Sequence, residues 1–197
     1  VNRTQGRSGR ALYFNGTGGS YVQFSDSSKL TMFRNVTDTS VAAWVCPTAY
    51  PSGGNLAIIL QAAIGTDTFA RFYFFIDSNK RLGCYFRVLD DHSSSIQAFD
   101  PSSTQIPLNV WTHVAISVDY QKKTARFYVN GQRKGEVQNL AFSIPHTPDT
   151  NCNMACIGSH YTGGGYDSQY TGYIDDLAIY NWGLDDSEIA ALANGGL

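Results

Sequence analysis

Residues 171–192 decide the fold, and they read TGYIDDLAIYNWGLDDSEIAAL. Residues 174–180 have the two-residue repeat of a pleated strand, whose side chains alternate between its two faces. This repeat places Asp175 on the same face as Leu177 and Ile179. A carboxylate on an apolar face is costly unless a counter-charge or hydrogen bonds compensate it. We therefore expect Asp175 to have a partner, and a bound cation is the sharpest candidate.

A short helix is predicted directly after this strand. Asp185 and Ser187 are both suitable N-caps, and acidic residues occupy the first turn, where they complement the helix dipole. Ile189 and Leu192 supply an apolar packing face, and the Asn-Gly-Gly sequence at 194–196 predicts the end of the helix.

Composition favours a single all-β domain over residues 1–197. Only 15% of residues are charged while 13% are aromatic, and 19 are glycine, a balance that suits a sandwich better than a helical protein. The net charge of -2 gives no electrostatic reason to expect nucleic acid as a partner. No apolar run approaches the roughly 20 residues that span a bilayer, so membrane insertion is not expected. Without an initiator Met or a signal peptide, the sequence is expected to be a module excised from a larger protein.

The four cysteines do not form a recognisable metal or redox motif. Cys46 and Cys84 fall on predicted core faces, which favours buried free thiols. Cys152 and Cys156 would be roughly 13 Å apart if the chain between them were extended, too far for a disulfide. They can pair only if residues 151–154 bend as a loop.

Hairpins account for much of the chain. Residues 69–76 and 81–89 alternate apolar and polar positions around a turn at 77–79, and Asn130-Gly131 is a strong two-residue hairpin signal. With further short strands at close spacing, the pattern predicts roughly a dozen strands. A two-sheet antiparallel β-sandwich, or jelly roll, with one short C-terminal helix is the expected architecture.

Two regions combine aromatic and polar side chains as sugar-binding sites do. The first is a sheet face whose residues lie on neighbouring strands: Arg71, Tyr73, Tyr85 and Arg87. The second is the glycine-rich segment 160–170, which carries Tyr161, Tyr166 and Tyr170. Each has a purely structural alternative, because cross-strand aromatic and Arg–Tyr pairs stabilise a sheet by themselves, and the segment could be an ordinary ordered loop.

Six short motifs occur in a familiar order: ALYFNG at 11–16, SVAAWV at 40–45, WTHVA at 111–115, FYVNG at 127–131, CIGS at 156–159 and GYIDDLAIYNWGL at 172–184. Together they resemble the LamG-like jelly roll of the concanavalin A-like lectin/glucanase superfamily, over residues 9–192. The resemblance implies a curved two-sheet sandwich, often a module of a secreted or cell-surface protein, that binds carbohydrate or protein ligands.

The resemblance also implies a calcium ion where the first strand meets the last. Carried over by position, Asn15, Gly16 and Asp175 would flank this Ca2+ ion, because calcium favours carboxylate and carbonyl oxygens. Asn15 stands where many relatives have aspartate, which removes one negative charge. In the alternative interpretation Asp175 accepts backbone N–H groups of the same turn.

Catalysis is not expected. Glucanases of this superfamily need two carboxylates on either side of the scissile bond. The available acid pairs are Asp90-Asp91, Asp175-Asp176 and Asp185-Asp186, and adjacent residues of a strand point to opposite faces. We therefore predict a non-catalytic, extracellular or cell-surface module that binds a polysaccharide or other glycan and holds a structural calcium ion. A protein-interaction or adhesion module is the first alternative, and a divergent glycoside hydrolase is the second.

Overall fold

The computed structural model describes residues 2–7, 9–24, 37–63, 70–87, 95–140, 154–162 and 165–195. Within these ranges the chain forms the following strands and helix: β1 (Asn2–Gln5), β2 (Arg10–Asn15), β3 (Val22–Phe24), β4 (Asp38–Pro47), β5 (Ala57–Ala63), β6 (Ala70–Ile76), β7 (Leu82–Arg87), β8 (Ser95–Phe99), β9 (Thr112–Asp119), β10 (Thr124–Val129), β11 (Gln132–Val137), β12 (Met154–Ile157), β13 (His160–Tyr161), β14 (Tyr166–Asp167), β15 (Thr171–Tyr180) and α1 (Asp186–Ala193).

The strands form two large antiparallel sheets and one small hairpin. The seven-stranded sheet has the order β1-β2-β15-β4-β9-β10-β11, and the six-stranded sheet has the order β3-β12-β5-β6-β7-β8. The predicted hairpin turns are confirmed, and Asn130 and Gly131 adopt φ values of 51° and 75°, as a tight two-residue turn requires. The predicted all-β jelly-roll sandwich with one short helix is confirmed.

The main core lies between the inner faces of the two sheets. Alternate residues of β4, among them Val41 and Val45, meet alternate residues of β6, among them Phe72 and Phe74, in one buried cluster. Each of these four side chains is at most 3% exposed. Burying an aliphatic or aromatic side chain of this size contributes about 1.5–3 kcal/mol, so this alternation determines how the strands orient.

Strand β15 joins the two ends of the chain, because it pairs with β2 on one side and with β4 on the other. Its predicted strict alternation is wrong, since the pairing with β4 shifts register between Asp175 and Ala178. Asp176 adopts a φ of 46° at this β-bulge. The extra residue reverses the alternation, so Leu177 packs on the core while Asp175 pairs with Trp44 on the outer face.

A different element covers each outer face. Helix α1 packs on the seven-stranded sheet through a small apolar cluster that includes Ala42, Tyr128 and Ile189. Asp185 is its N-cap and forms a capping box with Glu188. On the six-stranded sheet the covering element is the β13–β14 hairpin, which occupies part of a segment predicted to be a loop.

The remaining expectations concern the cysteines and membrane insertion. Cys46, Cys84 and Cys156 are buried free thiols, so a disulfide to Cys156 is excluded, and Cys152 lies outside the described residues. Burial raises the pKa of the Cys84 thiol well above its usual value, which keeps it protonated. No helix in the described part of the chain is long and apolar enough to cross a membrane.

Candidate functional site

Aromatic side chains and a histidine meet on the outer face of the six-stranded sheet. We call this group the aromatic–histidine site, and its members are Tyr73, Tyr85, His160, Tyr161 and Asp167. Strands β6 and β7 place Tyr73 and Tyr85 directly opposite each other, with ring centroids 4.7 Å apart. Tyr161 joins the same apolar cluster from the β13–β14 hairpin. The site therefore combines a sheet face with the element that covers it.

A chain of hydrogen bonds runs through this site. The hydroxyl of Tyr73 lies 2.7 Å from His160 Nε2, and His160 Nδ1 lies 2.7 Å from Asp167 Oδ1. Tyr73 is 9% exposed, whereas the Asp167 side chain is 58% exposed. The chain thus leads from a buried phenol to a carboxylate in solvent. With both ring nitrogens bonded, His160 is held in one orientation.

Buried polar groups fix the hairpin to the sheet. Gln61, which is fully buried on β5, donates Nε2 to the carbonyl of Tyr161 and accepts the Tyr161 amide. The two distances are 3.1 Å and 2.6 Å. Ser159 adds a hydrogen bond from its hydroxyl to the carbonyl of Asp167. Because the Gln61 side chain pairs with both the carbonyl and the amide of Tyr161, it also fixes the position of the neighbouring residue His160.

Only some of the predicted glycan-binding residues come together in the structure. Tyr73, Tyr85 and Tyr161, which came from both predicted regions, lie together in the aromatic–histidine site. Tyr166 pairs with Tyr161 in the hairpin. Arg71 and Arg87 belong to β6 and β7. The side chains of these last three residues lie outside what the structure describes.

Tyr170 is a correction to the predicted site. It is completely buried in the main core, where its ring meets Phe14 edge-on and its hydroxyl donates to the carbonyl of Tyr173. An isolated tyrosine in a glycine-rich segment carries no sign of burial in the sequence. His160 and Asp167 were not predicted as site residues, although their spacing across a short glycine-rich turn is compatible with a hairpin pair.

The predicted calcium ligands do not come together. Asn15 pairs with Thr171, which is four residues before Asp175, so roughly 13 Å of extended strand separates the two sites. The side-chain oxygen of Asn15 accepts the amide and hydroxyl of Thr17 in its own turn, which also contains Gly16. Asp175 lies instead beside the β1–β2 turn, where its Oδ2 accepts the Arg7 amide at 2.9 Å.

The ligand set Asn15, Gly16 and Asp175 therefore does not fit one calcium ion. Among the described residues no group of three or more His, Cys, Asp or Glu side chains is placed to hold a metal. Asp175 also accepts the amide of Asp176, at 3.0 Å. Asp175 of β15 thus connects the last strand to the start of the chain by accepting a backbone N–H group. The alternative interpretation expected such a bond from the turn at Asn15 and Gly16, whereas the structure shows it from Arg7 in the β1–β2 turn.

The described acids of the predicted pairs Asp175-Asp176 and Asp185-Asp186 include three that accept hydrogen bonds within the protein. Asp175 is 7% exposed and accepts two backbone amides, and a side chain at Gly6 would collide with its Oδ2. Asp185 caps α1, and Asp186 accepts the hydroxyl of Tyr128. Asp90 and Asp91 lie outside the described residues. The aromatic–histidine site contains one described carboxylate, that of Asp167.

Two stacked antiparallel sheets with one short helix define an all-β jelly-roll sandwich. The chain belongs to the concanavalin A-like lectin/glucanases superfamily, because a laminin G family model of that superfamily matches residues 12–190. This confirms the resemblance seen in the sequence motifs. No curated protein sequence matches the chain significantly.

Solved structures share this fold at low sequence identity. The carbohydrate-binding module CBM40 of the Ruminococcus gnavus IT-sialidase, bound to α2,3-sialyllactose, is 17% identical with a TM-score of 0.72, covering 93% of this chain and 96% of that one. Domain 4 of AbnA, a GH43 extracellular arabinanase from Geobacillus stearothermophilus in complex with arabinotriose, is 23% identical with a TM-score of 0.67, covering 98% and 81%. A heptameric SAP-like pentraxin from Limulus polyphemus is 20% identical with a TM-score of 0.67, covering 93% and 81%.

Proposed function

We propose that this protein is a non-catalytic carbohydrate-binding module of a secreted or cell-surface protein, and that a glycan binds at the aromatic–histidine site. The observation that carries the proposal is the Tyr73–His160–Asp167 hydrogen-bond chain beside the half-buried rings of Tyr85 and Tyr161. Rigid aromatic surface next to polar groups of fixed orientation is what a sugar needs, since a sugar has apolar C–H faces and a polar rim.

Each group has a role in the proposed site. The rings of Tyr85 and Tyr161 offer apolar surface to the C–H face of a sugar ring. The Asp167 carboxylate accepts hydrogen bonds from sugar hydroxyl groups, and its bond to His160 keeps it oriented. Because Tyr73 and His160 are positioned by the sheet and by Gln61, little conformational freedom is lost on binding.

The number of carboxylates at the aromatic–histidine site supports a module that does not catalyse hydrolysis. Hydrolysis of a glycosidic bond by the usual mechanism needs one carboxyl group as acid and a second as base or nucleophile. Asp167 supplies one such group in the described site, while Asp175 on the other sheet holds backbone amides. The glycan-bound neighbours, a sialidase module with sialyllactose and an arabinanase domain with arabinotriose, support the choice of these two sugars as first probes.

The test is calorimetric titration of the whole chain with α2,3-sialyllactose and arabinotriose, followed by a glycan array. Tyr85→Ala should lower the affinity of any bound glycan by about tenfold or more, since it removes an aromatic contact surface. Asp167→Asn should weaken binding while leaving the fold intact, because its side chain is largely exposed. Phe24→Ala is the matched control, since Phe24 is 50% exposed on the far edge strand β3 of the same sheet.

The result that contradicts this proposal is equally definite. If no glycan binds, or if Tyr85→Ala and Asp167→Asn bind as the unaltered protein does, the aromatic–histidine site is not a glycan site. A folded chain without any glycan ligand would favour the protein-interaction module. Glycan hydrolysis that is lost in Asp167→Asn would favour the hydrolase.

A structural calcium ion stays a prediction, and Asp175 is the predicted ligand on which it now depends. The measurement is thermal unfolding with Ca2+ and with a chelator, for the unaltered protein and for Asp175→Asn. If calcium binds at Asp175, the chelator lowers the Tm of the unaltered protein and has a smaller effect on the variant. An unchanged Tm of the unaltered protein would contradict a calcium ion at Asp175.

A further inference from the structure

A cavity of about 380 Å3 opens on the outer face of the seven-stranded sheet, away from the aromatic–histidine site. It lies between strands β4, β9 and β15 and the C-terminal end of α1. We call it the outer cavity, and its walls are formed by Ala42, Trp44, His113, Asp176, Ala178, Tyr180, Leu192 and Gly195. Its volume falls in the range of about 300–1,000 Å3 that is typical of small-molecule sites.

A buried polar atom in the wall of the outer cavity has no partner. His113 is 2% exposed, and its Nδ1 has no hydrogen-bond partner among the described residues. Burial lowers the pKa of His113 to about 4, so the ring is neutral at physiological pH, and Nδ1 carries the lone pair in the tautomer whose proton is on Nε2. Buried polar atoms are normally paired, and an unpaired one in a cavity wall indicates a missing donor or acceptor.

The charged group of the outer cavity is an acceptor. Asp176 contributes a carboxylate, and it stands next to the buried Asp175. Burial and the neighbouring charge of Asp175 raise the pKa of Asp176, while Arg7 lowers it. The C-terminal end of α1, which carries the negative end of the helix dipole, reaches the cavity at Leu192 and Gly195 and has no basic residue in its last turn.

Aromatic rings complete the cavity. Trp44 stands edge-on to His113 at a centroid distance of 5.5 Å, and Tyr180 is a third aromatic residue of the wall. The guanidinium of Arg7 already packs over the Trp44 ring, with its carbon 4.7 Å from the ring centroid. The Trp44 ring therefore accommodates a guanidinium, and Arg7 is the residue that a bound cation would meet there.

We propose that the outer cavity binds an organic cation that carries a guanidinium or alkylammonium group. Such a group has only hydrogen-bond donors, and the cavity walls contain the Asp176 carboxylate and His113, whose Nδ1 is unpartnered, beside aromatic surface. An anion would be repelled by Asp176. A neutral alcohol would gain the hydrogen bonds but neither the charge pairing nor the cation–π contact.

The test uses n-propylguanidinium as the probe and n-propanol as its neutral counterpart. Titration is followed by NMR through the ring signals of His113 and the indole signal of Trp44. We expect saturable shifts of both signals with n-propylguanidinium and an affinity for n-propanol at least about tenfold weaker, the difference expected for one charge-assisted contact. Equal affinity for the two probes, or no shift with either, would overturn the proposal.

Variants separate the outer cavity from the aromatic–histidine site. Asp176→Asn keeps the positive φ of the bulge, which asparagine tolerates, and should lower the affinity for n-propylguanidinium by about tenfold. Asp167→Asn, on the other sheet, should bind this probe as the unaltered protein does. His113→Phe keeps an aromatic ring, removes the acceptor and should also weaken binding. If both cavity variants bind the probe normally, the site is wrong whatever the glycan titrations show.

Discussion

His160 and His113 lie on the outer faces of different sheets, and their surroundings differ in one respect that matters for function. Nδ1 of His160 contacts Asp167 and its Nε2 contacts Tyr73, so both nitrogens are occupied by the protein. Nδ1 of His113 is buried and lacks a partner among the described residues. The imidazole of His160 is therefore hydrogen-bonded within its site, whereas the imidazole of His113 has one nitrogen without a hydrogen bond.

The covering elements explain this difference. The β13–β14 hairpin is fixed by directional bonds from Gln61 and Ser159, which bring backbone and side-chain partners to the sheet. Helix α1 and the residues before it are fixed by apolar contacts of Leu184 and Ile189 and by hydrogen bonds with Ser40 and Tyr128. None of these hydrogen bonds involves His113 Nδ1, which stays unpaired among the described residues. The positions of the hydrogen bonds made by each cover therefore decide which polar groups remain for a ligand.

The largest expected effect comes from breaking the hairpin's attachment. Gln61→Leu leaves both the amide and the carbonyl of Tyr161 without their buried partner. We expect the free energy of unfolding to fall by about 4 kcal/mol, since each unpaired buried group costs about 1–3 kcal/mol. Urea unfolding measures this loss, and glycan titration of the folded fraction should show weaker binding because His160 loses its support.

Gln97→Leu is the matched control for this prediction. Gln97 lies opposite Tyr85 on the same face, but its side chain is exposed. Its replacement should change the free energy of unfolding by less than about 0.5 kcal/mol. If Gln61→Leu were equally mild, the hairpin would be held by its apolar contacts, and the contrast between the two covers would fail.

The second effect is a dependence of stability on pH that His113 alone should cause. Its pKa is about 4 in the folded protein against 6.5 when unfolded, because burial disfavours the charged ring. The unfolded chain therefore binds more protons between these values, and stability rises with pH across this window. As pH falls from 7 to 4, this contribution should cost about 3 kcal/mol.

His113→Phe isolates that contribution. Urea unfolding at pH 7 and pH 4 should show a smaller acid loss in the variant, by about 3 kcal/mol, because the remaining carboxylates titrate in both proteins. Parallel pH profiles would mean that His113 is not buried as a neutral ring. The acceptor on which the outer cavity depends would then be solvated.

The sequence predicted the sandwich because its repeats are local. Asn130-Gly131 sets one turn, and the alternation in β6 and β7 sets which residues face the core, including Phe72 and Phe74. The bulge at Asp176 was not predictable, since the two-residue repeat has no marker for an inserted residue. The inserted residue put Asp175 on the face opposite Leu177, whereas the distance of Asp175 from Asn15 follows from the pairing of Asn15 with Thr171.

The candidate sites were less predictable because they depend on pairing between distant strands. The alternation placed Tyr73 and Tyr85 on one face, which the structure confirms. Trp44 is half-buried on the outer face, where it pairs with Asp175 of a strand about 130 residues later. Gln61 accepts the amide of Tyr161, which lies 100 residues later in the sequence. This hydrogen bond depends on the pairing of β12 with β5, which brings the hairpin to Gln61 and which no local sequence pattern indicates.

A smaller effect tests how α1 is joined to its sheet. The hydroxyl of the buried Ser40 donates to the carbonyl of Trp182 and accepts the amide of Leu184, at 3.0 Å and 2.8 Å. Ser40→Ala should lower the free energy of unfolding by about 2 kcal/mol, since it leaves a buried amide unpaired. Ser52→Ala, at an exposed turn, is the control. A neutral Ser40→Ala would show that apolar contacts alone fix this cover.

The smallest effect concerns the start of α1. Asp185 accepts the amides of Ser187 and Glu188, and the hydrogen bond from the Ser187 hydroxyl contributes most to lowering the pKa of its carboxyl. Asp185→Ala should lower Tm by about 2 °C, the usual consequence of losing an N-cap in a chain of this size. Asp185→Asn should retain most of the Tm, because asparagine also accepts these bonds.

Hydrogen exchange shows where this small loss is located. Faster exchange confined to the amides of α1 would mean that the helix frays while the sheet beneath it stays intact. The β13–β14 hairpin should keep its exchange rates in Asp185→Ala, since Gln61 holds it independently. Faster exchange of the hairpin amides would instead show that the two covers unfold together. In that case His113 and His160 would belong to one cooperative unit, despite their different partners.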